Sequence, residues 1–151
     1  MLDQALALSR HMYGCRVVQR ALEFGSAGVR QQLLEIIKKN IDLLVLDQYG
    51  NYVVQHVVEH GPPADRELVL NQLGSKIVTL SSHKYASNVI ERCFVKSNPH
   101  QRSAMVDTIV KSTKNGEPAV LAMMKDQYAN YVIQRILGTP RMRTTSFIPR
   151  Q

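Results

Sequence analysis

The chain has 151 residues, of which 44% are hydrophobic and 21% charged, and its 19 Lys and Arg against 12 Asp and Glu give a formal net charge of +7. This apolar content excludes wholesale disorder and suits one domain with a packed core. No apolar run approaches the roughly 18 residues that a membrane-spanning helix needs, and the basic charge favours a polyanionic partner no more than it favours a solvated surface.

A heptapeptide recurs four times along the chain. Each copy starts with Tyr and a small residue and ends with two β-branched residues and a Gln or Glu; the copies are Tyr13–Gln19, Tyr49–Gln55, Tyr85–Glu91 and Tyr128–Gln134. The four tyrosines lie 36, 36 and 43 residues apart. Copies in register predict a structural repeat. The extra residues before the fourth copy fall in a turn-forming segment, Ser112–Pro118, which predicts an inserted surface loop.

Each unit is predicted to be helical. The second copy continues as two apolar pairs one helical turn apart, Val53–Val54 and Val57–Val58. These pairs form a stripe of helical period, whereas the apolar residues of a strand would alternate. A second amphipathic helix, such as Arg30–Lys39, and a short helical turn, such as Ile41–Leu46, complete the unit.

Units of this size must stack, because one unit cannot bury its apolar stripe alone. The predicted fold is therefore an all-α solenoid, a superhelix of about four three-helix repeats. We assign the repeats to residues 5–40, 41–76, 77–119 and 120–138, the last incomplete, and predict a tail at 139–151. Since solenoids need polar end caps and neither end has one, we expect the chain to be part of a longer array.

Three residues of each repeat project away from the apolar stripe, at the first, second and fifth positions after the small residue. We call each set a recognition triplet and the helix that carries it a recognition helix. The triplets of repeats one to four are Cys15/Arg16/Gln19, Asn51/Tyr52/Gln55, Ser87/Asn88/Glu91 and Asn130/Tyr131/Gln134. Stacked units would align the triplets along one face, which suits a ligand that is repetitive, planar and polar at its edges.

The segments that carry the triplets resemble the base-binding helix of the Pumilio, or PUF, family of RNA-binding repeats. The resemblance covers roughly residues 5–138 and is to the C-terminal half of a Pumilio homology domain. It implies single-stranded RNA binding at one base per repeat, a general property of such repeats. It also implies that the middle residue of each triplet stacks between bases and that the outer two contact a base edge.

The chemistry of the triplets fits particular bases. An ionised carboxylate only accepts hydrogen bonds, so Glu91 matches the two adjacent donors of guanine, and Ser87 can add a further bond. An Asn/Gln pair offers donors and acceptors, as the edge of uracil requires. Gln19 can meet part of the adenine edge, beside the small Cys15. Arg16 and the Tyr residues offer flat stacking faces, and Asn88 is a poorer platform.

The resemblance also implies an antiparallel RNA whose 5′ base binds the C-terminal repeat, which predicts recognition of 5′-UGUA-3′. It places that element in the 3′ untranslated regions of messenger RNAs, where binding represses translation or speeds decay. Co-repressor proteins would bind the convex face, and no membrane is involved. The alternative is a protein-binding solenoid of the HEAT or armadillo kind, whose inner groove takes peptides and needs no such triplets.

Enzymatic and metal-dependent functions find no support in the sequence. There is no glycine-rich phosphate loop, Ser/His/Asp set or carboxylate pair, so we predict no catalytic residues and no enzyme. His56 and His60 lack a third zinc ligand, so no metal site and no cofactor are predicted. Two cysteines, Cys15 and Cys93, cannot form a disulfide framework, and we expect a reducing, cytoplasmic location.

Overall fold

The computed structural model describes residues 2–138, and the predicted tail at 139–151 lies outside them. Within the described part the regular structure is a 3-10 turn at Leu2–Gln4, eleven α-helices and two short strands. The helices are α1 (Ala5–Ser9), α2 (Gly14–Phe24), α3 (Ala27–Lys39), α4 (Ile41–Leu44), α5 (Gly50–His60), α6 (Pro63–Gly74), α7 (Ile77–Ser81), α8 (Ala86–Lys96), α9 (Pro99–Lys111), α10 (Ala119–Lys125) and α11 (Ala129–Ile136).

A short helix, a recognition helix and a second long helix recur in that order, as α1–α2–α3, α4–α5–α6 and α7–α8–α9, and α10–α11 begin a fourth set. This confirms the predicted all-α repeat fold of the solenoid class. Helix α3 starts three residues earlier than the predicted Arg30–Lys39, because the Ser26 side chain accepts a hydrogen bond from the Val29 N–H at 3.3 Å and so caps an earlier turn.

The chain forms two compact units, one ending at Gln72 and the other beginning at Leu73. In the first unit both members of the predicted valine pair in α5, Val53 and Val54, are fully buried. Helix α5 packs against α2 and α4, whose buried side chains include Val18 and Leu44. Each side chain of this size contributes roughly 1.5–3 kcal/mol when it is buried.

The second unit repeats this arrangement. Val89 and Ile90 of α8 and Val132 and Ile133 of α11 are buried, and α8 packs against α11. Burial of two adjacent residues in α5, α8 and α11 confirms that the apolar residues come in pairs with helical spacing. Seven of the twelve triplet residues are themselves buried, namely Cys15, Asn51, Ser87, Glu91, Asn130, Tyr131 and Gln134.

Helix α2 also has an exposed apolar side. Val17 is 52% exposed and Phe24 79% exposed. The residue of α5 that corresponds to Val17 is Val53, which is buried, because α2 packs against α5. The same position is therefore apolar in both helices but covered only in α5.

The predicted loop at Ser112–Pro118 is a small β-hairpin. Its strands, Thr113–Lys114 and Glu117–Pro118, pair antiparallel. The turn residues Asn115 and Gly116 have φ angles of 54° and 80°, which is the left-handed pair that a tight two-residue hairpin turn requires. The hairpin is exposed, and the Ala119 N–H closes its base by donating to the Ser112 carbonyl at 2.9 Å.

Gly14, the first residue of α2, is needed because the chain passes close to Leu8. A Cβ at position 14 would lie 2.4 Å from the Leu8 carbonyl oxygen, and backbone cannot give way as a side chain can. We expect Gly14→Ala to lower the free energy of unfolding by about 1–3 kcal/mol, measured by urea denaturation followed by circular dichroism.

The matched control for this prediction is Gly28→Ala in α3. A Cβ at position 28 has no atom within 4 Å, so we expect unchanged stability or a gain of up to about 1 kcal/mol. Equal destabilisation by the two substitutions would contradict the steric account of Gly14.

Candidate nucleic-acid interface

Each recognition triplet lies in the first turns of its helix. The triplets of repeats one and two are on α2 and α5 in the first unit, and those of repeats three and four are on α8 and α11 in the second. Because the outer members are four residues apart, they lie one above the other on a helix face. Within each unit the two recognition helices pack together, so each unit brings two triplets side by side.

The two Asn/Gln triplets have the same internal geometry. Gln55 Nε2 donates to Asn51 Oδ1 at 2.9 Å, and Gln134 Nε2 donates to Asn130 Oδ1 at 3.0 Å. In both, the Asn amide nitrogen donates to the backbone carbonyl four residues earlier, at 2.8 Å for Asn51 and 2.6 Å for Asn130. These bonds fix the orientation of both amides.

In repeat two the hydrogen bonds determine what is left for a ligand. The Asn51 amide nitrogen also donates to the Gln48 carbonyl at 3.0 Å, so both of its hydrogens are used. Gln55 donates one amide hydrogen to Asn51, and it keeps its carbonyl oxygen and its second N–H. One acceptor beside one donor is the combination that uracil needs.

Repeat three presents acceptors instead. The Ser87 hydroxyl donates to the Lys84 carbonyl at 3.3 Å, so its oxygen can still accept a hydrogen bond, although the side chain is buried. Glu91 is buried apart from a small surface, and its Oε1 lies 3.7 Å from Nε of Arg135 on α11. An ionised carboxylate with a serine oxygen beside it accepts hydrogen bonds only, which complements two adjacent donors.

The first triplet residue of repeat one also donates to a backbone carbonyl. The Cys15 thiol donates to the Met12 carbonyl at 3.4 Å. Burial raises the pKa of this thiol and outweighs the lowering effect of the neighbouring Arg16, so the thiol stays neutral at physiological pH. Beside it, the half-buried Gln19 is the longer polar group of this triplet.

The middle residues of the triplets differ in exposure. Arg16 is exposed, Tyr52 is 52% exposed and Asn88 is half-buried, whereas Tyr131 is 1% exposed. A base can stack on Arg16 or Tyr52 as they stand. Stacking on Tyr131 would require the groups that cover its ring to move aside.

Four further residues, two positions before each repeated Tyr, support the recognition helices. The Asp47 carboxylate accepts the N–H groups of Tyr49 and Gly50 at 2.9 and 2.7 Å. Asp126 accepts those of Tyr128 and Ala129, both at 2.8 Å. These bonds satisfy N–H groups that an uncapped helix start leaves without a partner.

In repeats one and three a histidine replaces the aspartate. Nδ1 of His11 accepts the N–H groups of Tyr13 and Gly14 at 3.1 and 3.2 Å. Nδ1 of His83 does the same for residues 85 and 86 at 3.1 and 3.2 Å. Sequence reasoning missed these two histidines, although their position, shared with Asp47 and Asp126, was a signal that could have found them.

Several interactions hold the Asp47 carboxylate in its charged form. Burial acts to raise the pKa of Asp47, but the N–H groups of Gly50 and Tyr49 and the Arg10 guanidinium outweigh it and hold that pKa below its ordinary value. Arg10 Nε lies 3.1 Å from the carboxylate. Because the folded pKa is lowered, the stabilisation is present at neutral pH and is lost only as the pH falls through that lowered value.

The histidine pair considered for zinc has a different role. Nε2 of His56 lies 2.8 Å from Oε1 of Glu23, joining α5 to α2, and this hydrogen bond is the main cause that lowers the pKa of Glu23. The His60 ring packs 4.8 Å from the His56 ring, centroid to centroid. Among residues 2–138 no three His, Cys, Asp or Glu side chains gather as metal ligands.

Comparison with known proteins assigns the family. The model of the Pumilio-family RNA-binding repeat matches residues 4–38, 40–73, 76–110 and 119–139. The chain therefore belongs to the Pumilio, or PUF, family of RNA-binding repeat proteins, and the recognition helices lie inside the four matched segments. No relative was matched among curated protein sequences.

Solved PUF structures share this fold. PUF-8 in complex with PBE-RNA is 38% identical, with a TM-score of 0.84 over 95% of this chain. The Puf3 RNA-binding domain bound to the Cox17 RNA 3′ UTR recognition sequence site B is 34% identical, with a TM-score of 0.80 over 93%. The Puf4 RNA-binding domain bound to the HO endonuclease RNA 3′ UTR recognition sequence is 30% identical, with a TM-score of 0.81 over 91%.

The match covers only part of those proteins. The chain corresponds to 41%, 43% and 42% of the PUF-8, Puf3 and Puf4 chains, respectively. Within residues 2–138, none of the helices has the length and apolar character to cross a bilayer.

Proposed function

We propose that this chain binds single-stranded RNA sequence-specifically, with each repeat taking one base. The observation that carries the proposal is the matched triplet geometry. In all four repeats the first triplet residue donates a hydrogen bond to a backbone carbonyl three or four residues earlier. The polar atoms left for a base then differ with residue type, as base-by-base recognition requires. In repeat four Asn130 and Gln134 are buried, so binding there would have to expose them.

The polar groups support one base for each repeat. Repeats two and four carry the same Asn/Gln pair and would bind uracil. Repeat three offers the acceptors Ser87 and Glu91, which complement N1–H and the 2-amino group of guanine. Repeat one, with Cys15 and Gln19, would bind adenine. With the RNA antiparallel to the protein, as in the family, the sequence bound is 5′-UGUA-3′.

Stacking would supply much of the affinity. A base on Tyr52 or Arg16 gains about 1–3 kcal/mol where the two planes meet well. Asn88 contributes less because it has no ring. In repeat four, RNA binding would uncover Tyr131, so that repeat would gain its stacking contact only on binding.

The proposed setting is the 3′ untranslated region of messenger RNAs in the cytoplasm. The Puf3 and Puf4 structures hold 3′ UTR recognition sequences, and an element of the same kind is the proposed target here. Since the proposed role is binding rather than catalysis, repression or decay would need co-repressor proteins, whose proposed binding surface is the convex face expected for the family.

Binding to a UGUA-containing RNA is the direct test. In a gel-shift titration at moderate salt, we expect an oligonucleotide with UGUA to bind at least about tenfold more tightly than its scrambled counterpart, since each mismatched base costs roughly 1–3 kcal/mol. Equal binding of the two RNAs would remove the RNA proposal and favour a peptide-binding solenoid.

Repeat three provides a specificity switch. Ser87→Asn with Glu91→Gln reproduces the triplet ends of repeats two and four, so we expect preference to move from UGUA to UUUA, measured by competition binding. The reciprocal control, Asn51→Ser with Gln55→Glu, should move preference to UGGA. A double variant that still prefers guanine in repeat three would show that Ser87 and Glu91 do not select the base.

Arg16 tests the stacking role. We expect Arg16→Ala to weaken UGUA binding by about 5–100-fold, measured by fluorescence anisotropy, with the order of base preference unchanged. Arg30→Ala on α3 removes the same charge from an exposed position outside the triplets and should have a much smaller effect. A changed base preference in Arg16→Ala would contradict a stacking role.

A further inference from the structure

The caps of the recognition helices alternate in chemistry along the chain. A histidine caps α2 and α8, the helices proposed to bind adenine and guanine, and an aspartate caps α5 and α11, proposed to bind uracil. Each cap accepts the same pair of N–H groups, from the repeated Tyr and the small residue after it. The alternating residues are His11, Asp47, His83 and Asp126.

The cap residue also holds the first member of its triplet directly. The backbone carbonyl of His11 accepts the Cys15 N–H at 2.9 Å, and that of His83 accepts the Ser87 N–H at 3.0 Å. One residue therefore fixes the start of the helix with its side chain and the base-contacting residue with its backbone. Loss of the side-chain bonds would loosen the turn from which Cys15 or Ser87 projects.

A histidine cap works only in one protonation state. Nδ1 can accept two N–H groups only when it carries a lone pair, so each ring must be neutral with its hydrogen on Nε2. A proton on Nδ1 removes the acceptor and places a positive charge at a helix N-terminus, where positive charge is unfavourable. An aspartate cap is negative there and keeps both bonds until much lower pH.

The surroundings offer no carboxylate to stabilise a charged imidazole. Among residues 2–138 neither His11 nor His83 lies within ion-pairing distance of an acid. The charged group next to His11 is Arg10, whose guanidinium binds Asp47. Beside His83, the Lys84 ammonium lies 5.5 Å from the centre of the Tyr85 ring. Both neighbours carry a positive charge.

We propose that His11 and His83 are positioning residues for the purine-binding repeats, and that proton uptake by their rings selectively weakens recognition of adenine and guanine. This inference rests on the RNA-binding function proposed above. Each of these caps is lost when its ring takes up a proton, because the doubly protonated ring has no acceptor at Nδ1. The uracil repeats, whose caps are aspartates, would keep their caps under the same conditions.

The first test exchanges the caps. Affinity for UGUA RNA is measured at about pH 7.5 and about pH 5.5 for the unmodified chain and for the double variant His11→Asp with His83→Asp. We expect the unmodified chain to lose about fivefold or more in affinity at the lower pH, as the loss of helix caps predicts. The double variant should lose little affinity at the lower pH. Because it keeps Glu91, any loss that protonation of Glu91 causes would remain in it. An equal loss in both proteins would assign the effect to another group and overturn the proposal.

Further variants separate capping from a general effect of histidine. His83→Asn keeps a side-chain acceptor that does not titrate and should make guanine recognition independent of pH. Asp47→His should make repeat two sensitive to acid. His100→Gln, at an exposed position on α9, should behave as the unmodified chain does, and a loss of pH dependence in that variant would overturn the proposal.

A measurement without RNA distinguishes failure of this proposal from failure of the proposed function. Amide hydrogen exchange by NMR should show Tyr85 and Ala86 losing protection between about pH 7.5 and about pH 5.5, while Tyr49 and Gly50 keep theirs. The ¹⁵N shifts of the His83 ring report whether it is protonated. If the ring is protonated and residues 85 and 86 keep their protection, the capping role is overturned. If the exchange still depends on pH but the chain binds no UGUA RNA at either pH, the RNA role is overturned instead.

Discussion

Burial of two adjacent apolar side chains fixes the rotation of the recognition helices α5, α8 and α11 about their own axes. In α5 these are Val53 and Val54, and in α11 they are Val132 and Ile133, all of them inside the core. Because side chains at helical spacing point in fixed directions, that burial leaves one direction for the triplet of the same helix. The proposed base selectivity therefore depends on packing that would never contact the ligand.

A second constraint acts on the triplets themselves. Their first residues lie against the helix start and give their hydrogens to backbone carbonyls. A buried polar group without a partner is costly, so these bonds are needed for folding, and they also fix which atoms remain for a base. Asn51 and Gln55 illustrate the outcome, since one side chain serves the backbone and the other keeps a donor and an acceptor.

The fold was predictable from the sequence because the repeat presents the same pattern four times. The paired β-branched residues distinguished helix from strand, and turn residues marked the loop inserted before the fourth copy. Other features depended on three-dimensional surroundings. Tyr52 and Tyr131 occupy the same place in their repeats, yet one ring is exposed and the other covered. The hydrogen bond from Gln55 to Asn51 could not be predicted, because residue types do not determine whether an amide group bonds to the backbone or to a neighbouring side chain.

The histidine caps illustrate a limit of a different kind. Asp47 and Asp126 were recognisable before the Tyr because carboxylates commonly cap helices. Histidine is not a usual cap, and its capacity to accept depends on where its proton lies. Only the geometry of two N–H groups converging on Nδ1 of His11 and of His83 identifies that state.

The hairpin before α10 has a consequence for how the repeat tolerates variation in length. Its two ends meet at the hydrogen bond between Ser112 and Ala119, so the chain leaves and re-enters the array at neighbouring points. Additional residues between Asn115 and Gly116 would extend outward and leave the start of α10 in place. That turn is therefore a natural point at which to insert a peptide tag or a fluorescent reporter.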